Sequence, residues 1–248
     1  PPPHVKLMQM LGGASVAGAI GCLAKLDIAE MVESGPKSAE DLAAQIGAHP
    51  GALYRLMRAT ASVGVLSEGP DGKFSQTPLS AVLLRDAKPS LRALAIMGTR
   101  EWHMRGWERL EYSVRTGKTA LDEVYGKPLW EHFKQNPAEA QIFNDAMTAY
   151  SMIDSPAVAA AYSFEGIGSV VDVAGGHGLL LATVLGRNPH LKGTLFDAPH
   201  VIEGAKEGPL KPFLSRCTLA SGDMFSSVPA GADAYMMKHI IHDWPDDL

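Results

Sequence analysis

The sequence predicts an α/β protein, a Rossmann-like parallel sheet preceded by an all-helical, winged-helix-containing module. Three observations carry that expectation. Up to about residue 165 the apolar positions recur with helical spacing, interrupted by a single hairpin pattern. After Gly166, short apolar runs at 169–174, 193–196, 215–220 and 232–238 alternate with helical stretches, and strands alternating with helices imply a parallel sheet with right-handed crossovers. The first of those runs ends in VVDVAGGHG, residues 170–178, where an acid is followed by almost bare backbone. The expected division is a helical module over 1–100, connecting helices over 101–165 and the sheet domain over 166–248.

Composition narrows the function classes. The 248 residues, 46% apolar and 20% charged, suffice for a real core in one large or two modest domains. A formal charge of -5 and a pI near 6.0 provide no basic footprint for a polyanion, so nucleic acid is not an expected partner. Cys22 and Cys217 stand far apart without CxxC or Cys/His spacing. Neither a disulfide framework nor a metal site is therefore expected, and a reducing cytoplasm is the default location.

The elements follow in order. Helical spacing runs from Leu7 to Val32, and the uncharged stretch from Met8 to Ala24 carries Gly12, Gly13, Gly18 and Gly21. It is slightly short for a membrane span and lacks the flanks of a signal segment, so it reads as a buried packing helix with no membrane partner, poorly suited to solvent and suited to interlocking with a copy of itself in a homodimer. Ser34-Gly-Pro36 stops it. Ser38, with Asp41 three residues on, is a capping-box start for the helix of Leu42 to Ile46. His49-Pro50 opens a further helix over 51–65, and Gly69-Pro-Asp-Gly72 turns between the extended pieces VLSE and KFSQT.

Three helices and a hairpin in that order read as a winged helix, with Tyr54, Arg55 and Arg58 on the recognition helix. Over 36–80, however, Lys37, Arg55, Arg58 and Lys73 are balanced by Glu40, Asp41, Glu68 and Asp71. Phosphate binding needs a positive surplus, so the module reads as a packing or dimerising one. From Pro89 to Tyr162 helical spacing resumes, with Trp102, Trp107, Leu110, Val114, Trp130, Phe133, Phe143 and Met147 forming a stripe of the kind that fills a core. Gly117, Gly126 and Asn136-Pro137 punctuate it.

In a parallel sheet of this type ligands sit outside the carboxyl ends of the strands. A nicotinamide turn would read GxGxxG and hold a pyrophosphate. Here the small residues fall at 174, 176 and 178, with Gly175 beside them, in the form DxAxGxG. That is the spacing of an S-adenosylmethionine turn, whose backbone approaches an amino acid tail and a sulfonium. Nineteen residues past Gly178 comes Asp197, where an acid accepts ribose hydroxyls, and Asp223 lies where a third strand end meets an adenine.

The runs VVDVAGGHG, TLFDAPHVI, GDMF and MMKHIIHDWPDD together closely resemble the small-molecule O-methyltransferases of the caffeate, flavonoid and hydroxyindole type, including their bacterial relatives. The likeness extends over nearly the whole chain, since LYRLMRATASVGVL and the stretch from Trp107 to Gly126 are similar to that family's dimerisation domain. It implies S-adenosyl-L-methionine as cofactor, a small-molecule acceptor and a homodimer. Asp172, Ala174, Gly175, Gly176 and Gly178 would form the cofactor turn, with Ala174 standing where relatives carry Gly. Asp197 would bind the ribose, Asp223 and Met224 the adenine, Lys238 the nucleoside, and Ser151 the cofactor carboxylate. Phe143 and Met147 would line the acceptor pocket beside His242, the general base. Family members continue beyond this chain's last residue, and a four-stranded sheet would leave the strand around 233–238 as an exposed edge, so a piece of a longer protein is expected.

The chemistry suits a histidine. Methyl transfer is an in-line displacement in which orientation supplies much of the acceleration. A phenol with pKa near 10 gives its proton to a histidine near 6.5 only uphill, by roughly 5 kcal/mol. A base that takes the proton as the methyl moves still contributes about 10² to 10⁴-fold. His239 competes for the role but, three residues earlier, is expected to point elsewhere; Asp243 and Asp246 read as a capping pair for a following helix. Two alternatives stay open: a non-methylating enzyme on the same scaffold, and a catalytically silent winged-helix binding or regulatory protein.

Overall fold

The computed structural model describes residues 1–244; Asp246, half of the expected capping pair, lies outside the described residues. The chain divides into two compact units, Pro1–Ala149 and Tyr150–Leu248.

The first unit opens with the helices Pro3–Leu11 and Gly13–Lys25, joined at Gly12. Within the single chain this stretch is largely uncovered, as an apolar face meant to interlock with a second copy would be. Leu7, Met8, Met10 and Leu11 are 57–72% exposed, and burial is confined to Gly21, Leu23 and Ala24. The second helix meets the unit along one line, against the helices Pro50–Ser62 and Arg92–Met97, and most of the surface before Gly21 is left uncovered. The stretch Pro3–Lys25 is long and apolar enough to cross a membrane by length and composition. Helical spacing out to Val32 is also broken, because Asp27 takes a left-handed φ of 54° before the short helix Ile28–Met31. Its carboxylate is gripped by Arg92 at 2.7 Å and by Arg85.

Downstream the elements come in the expected order. Ser38 Oγ accepts from the Asp41 amide at 3.1 Å and opens the helix Ala39–Ile46. The His49 imidazole accepts from the Ala52 amide at 3.3 Å and opens Pro50–Ser62. Strands β1 (Leu66–Glu68) and β2 (Phe74–Gln76) pair antiparallel around the turn at Gly69–Gly72. Leu23, Ile28, Leu42, Met57, Leu66 and Phe74 make the core.

Six helices follow, from Arg92–Met97 to Pro137–Ala161, two of them ending at left-handed Gly117 and Gly126. The aromatic stripe is only partly core. Trp102 and Phe133 are buried, whereas Trp107, Leu110, Val114 and Trp130 are 42–78% exposed. Trp102 and Trp107 share the helix Glu101–Glu108, where five residues turn the side chain by about 140°. Burying one therefore exposes the other.

The second unit holds a parallel sheet of β3 (Ser169–Val173), β4 (Lys192–Asp197), β5 (Cys217–Ser221) and β6 (Ala234–Met236), in spatial order β5-β4-β3-β6. Leu179–Arg187 and Pro199–Ala205 are the helices of the first two connections. One face of the sheet packs Val170 and Leu195 on Leu181 and Leu185; the other packs Val171, Val173 and Phe196 with Met224. The chain steps outward from β3 to β5, then returns across β3 to lay down β6. The order reverses between β3 and β6, and such a reversal leaves a crevice at the carboxyl ends of the two strands.

Candidate functional site

The residues following β3 are shaped by what lies beneath them. Asp172, 1% exposed, is the last residue but one of β3 and points inward. A Cβ on Gly175 would stand 2.5 Å from the Asp172 carboxyl and 2.7 Å from Leu195, so only glycine fits there. A Cβ on Gly178 would meet Leu210 at 2.2 Å, whereas one on Gly176 would meet nothing within 4 Å. Gly176 (φ 61°) and Gly178 (φ 78°) are left-handed, and so is Ala174 (φ 52°), where glycine would be unstrained. The turn thus presents bare backbone to open space at Gly176 and packs tightly at its other glycines.

The other strand ends contribute acids. Asp197 closes β4; Oδ2 accepts from the Gly176 amide at 2.8 Å and Oδ1 from the Ala198 amide at 2.7 Å. Burial raises its pKa, opposed by those two amides. Each oxygen keeps acceptor capacity for a further donor. Asp223, beyond β5, accepts from the Phe225 amide at 3.0 Å and Ser226 Oγ at 3.1 Å.

Near the ends of β3 and β6, Asp172 and Asp154 each act on Lys238 through their charges. Burial pushes the Asp172 carboxyl up to about 7, against the pull of Lys238. Burial lowers the Lys238 ammonium, against the pull of Asp154 and Asp172. Asp172 Oδ2 and Ser155 Oγ are buried without a hydrogen-bond partner among the described residues. Ser151 lies one helical turn before Ser155 on Pro137–Ala161 and is half-buried.

His242 sits in the one-turn helix Ile241–Asp243 beyond β6, its side chain 61% exposed and Nε2 3.1 Å from Asp243 Oδ1. His239 does not point elsewhere. Its ring centroid is 5.5 Å from that of His242, and its Nε2 meets Asp154 Oδ2 at 3.0 Å. The reason is backbone geometry, since His239 is left-handed at φ 57° and reverses the helical or extended spacing that a three-residue offset assumes.

Ser151, the turn from Asp172 to Gly178, Asp197, Asp223, Met224, Lys238 and His242 all belong to the second unit. Phe143 and Met147 belong to the first, half-buried against the cluster of Met97, Trp102, Phe133 and Ala146. Sequence reasoning missed Asp154 and Ser155, which lie in a helical run with no motif to mark them.

Comparison with known proteins identifies the family. Residues 107–248 match the O-methyltransferase domain and residues 8–86 the O-methyltransferase dimerisation domain. The mitomycin biosynthesis 6-O-methyltransferase of Streptomyces lavendulae is 41% identical, over 96% of this chain and 69% of its own length. The solved structure of the mitomycin 7-O-methyltransferase MmcR superposes with a TM-score of 0.88 at 41% identity, covering 98% of this chain and 73% of the other. The neocarzinostatin O-methyltransferase NcsB1, solved with S-adenosylmethionine and 2-hydroxy-5-methyl naphthoic acid, is 31% identical with a TM-score of 0.77, over 93% and 71% of the two chains. With both domains matched, the chain belongs to the S-adenosylmethionine-dependent O-methyltransferases.

Proposed function

We propose that the chain methylates a hydroxyl, of phenolic type, on a small aromatic acceptor, with His242 as general base. The observation that carries the reading is the position of His242 just past the crevice where the strand order reverses, beside a carboxylate and open to solvent. The residues present suit the cofactor. Bare backbone faces open space at Gly176, Asp197 retains two acceptor positions for a ribose diol, and Asp223 with Met224 lies one strand further out, suited to an adenine. Lys238 flanks the nucleoside, and Ser151 faces the cofactor carboxylate in this reading. When bound, the cofactor supplies a methyl group on cationic sulfur.

The acceptor oxygen forms its bond to that methyl as the sulfur–methyl bond breaks. An imidazole nitrogen of His242 takes the hydroxyl proton, and Asp243, 3.1 Å from Nε2, stabilises the imidazolium that results. Phe143 and Met147 are the acceptor-side residues, and the helices over 101–165 carry them. An aromatic acceptor is supported by the naphthoic acid named for one relative.

The same reading makes the enzyme a cytoplasmic homodimer. The exposed Leu7, Met8, Met10 and Leu11 fall in or next to the segment matched by the dimerisation domain, which favours cover by a second copy over insertion in lipid. His242→Gln is expected to abolish formation of S-adenosylhomocysteine from an acceptor panel while calorimetric affinity for S-adenosylmethionine stays intact. Unchanged turnover would refute the base.

A further inference from the structure

The segment that links Lys238 to His242 is held from outside. Past β6 the chain turns at His239, whose φ of 57° is left-handed for a residue with a Cβ. Conformations of that kind persist where surrounding contacts over-determine them, and they cluster at functional sites. Among the described residues one such contact is a hydrogen bond, His239 Nε2 donating to Asp154 Oδ2 at 3.0 Å. The His239 ring then lies 5.5 Å from that of His242, tilted by 40°, and 6.3 Å from that of Tyr150. Asp154 comes three residues after Ser151 on Pro137–Ala161, so the two share a helix face. Its charge also acts on Lys238.

We propose that Asp154, acting through His239, is a positioning residue for His242, fixing segment 238–243 in the arrangement that methyl transfer uses. This rests on His242 being the base. Asp154 accepts the Nε2–H of His239, which fixes that ring's tautomer and orientation. The turned backbone at 239 then sets where the one-turn helix Ile241–Asp243 begins, and with it the direction of the His242 side chain. Neither Asp154 nor His239 exchanges a proton with the acceptor. The pair is about half exposed, with side chains at 38% and 45%, and exposed pairs contribute little to global stability. Its removal leaves the fold intact and loosens only the segment.

The test separates position from chemistry. In the intact enzyme, Asp154→Ala and His239→Ala are each expected to lower kcat by about fivefold to tenfold, the scale of a lost orienting contact. Calorimetric Kd for S-adenosylmethionine and the thermal midpoint should stay at parent values. Asp154→Asn keeps an acceptor oxygen for His239 and falls between parent and alanine variant. The double alanine variant is no slower than the singles, as expected when both act as one unit.

Parent kcat in both alanine variants, alongside loss of turnover in His242→Gln, overturns the positioning role and leaves the base standing. A rise in cofactor Kd with unchanged kcat overturns it equally, because the pair then serves cofactor binding. Full turnover by His242→Gln removes the base itself. If Asp154→Ala does not fold, Asp154→Asn and His239→Gln carry the same expectation.

Discussion

Asp197 Oδ2 accepts the amide hydrogen of Gly176 at 2.8 Å, tying the end of β4 to the turn that follows β3. One carboxylate therefore shapes the glycine turn and, in the proposed reading, receives the ribose. Asp197→Ala removes both roles. A hydrogen bond to a charged group contributes about 1.5–3 kcal/mol, so Kd for S-adenosylmethionine should rise by at least roughly 10- to 100-fold, the loss of one such bond. Calorimetry checks it, and Asp197→Asn, which keeps one acceptor oxygen, should lie between. Parent affinity in Asp197→Ala would place the nucleoside elsewhere.

Ala174 occupies a left-handed conformation at φ 52° where relatives are expected to carry glycine. A Cβ in that region costs about 1–2 kcal/mol, of which glycine's greater unfolded-state freedom takes back about 0.5–1. Ala174→Gly should therefore stabilise the protein by about 0.5–1 kcal/mol, visible as a higher thermal midpoint. A lower midpoint would mean that the methyl group makes contacts outweighing the strain.

Much of this was legible in the sequence because it rests on local rules. Ser38 with Asp41, the Gly69–Gly72 turn, and the breaks at Gly117, Gly126 and Asn136 each mark an element boundary through backbone chemistry that neighbours do not override. Asp197 and Asp223 were legible because a strand followed by a crossover puts its last residues at one rim. What escaped depends on contacts distant in sequence. The left-handed His239 is stabilised by Asp154, 85 residues away, and no spacing rule connects them. Within the single chain Leu7–Leu11 and Trp107 stay exposed, because helical spacing tells which residues share a face, not whether the same chain covers it.

Burial raises the Asp172 carboxyl from its ordinary 3.8 to about 7, and the pH dependence of stability follows. Between those values the folded state keeps a proton that the unfolded chain gives up, so this group's contribution to stability falls as pH rises through the window. It is level below the ordinary value and level again above about 7. A shift of about three units corresponds to about 4 kcal/mol across the window. Asp172→Asn, neutral at every pH, should match the parent near pH 4 and exceed it at pH 8 in urea unfolding without added cofactor. Lys238, which loses one of its two acidic neighbours in the variant, keeps Asp154. Parallel stability curves for parent and variant would mean that Asp172 is ionised throughout.

Gly176 and Gly178 differ in a way that separates folding from binding. Both are left-handed, so alanine at either costs about 1–2 kcal/mol of backbone strain. At 178 the new methyl would also lie 2.2 Å from Leu210, which is fully buried and has no room to retreat. Gly178→Ala should therefore cost several kcal/mol through overpacking added to strain, lowering the thermal midpoint whether or not cofactor is present. At 176 the methyl meets no atom within 4 Å, so Gly176→Ala should fold with only the strain penalty. Its methyl would nevertheless project into the space that an approaching amino acid tail or sulfonium needs, and cofactor affinity should fall far more than stability. Thermal melts with and without S-adenosylmethionine read both quantities: the cofactor-induced rise in midpoint should vanish in Gly176→Ala at a nearly parental apo midpoint. A full cofactor-induced rise in that variant would show that the bare backbone serves only the turn.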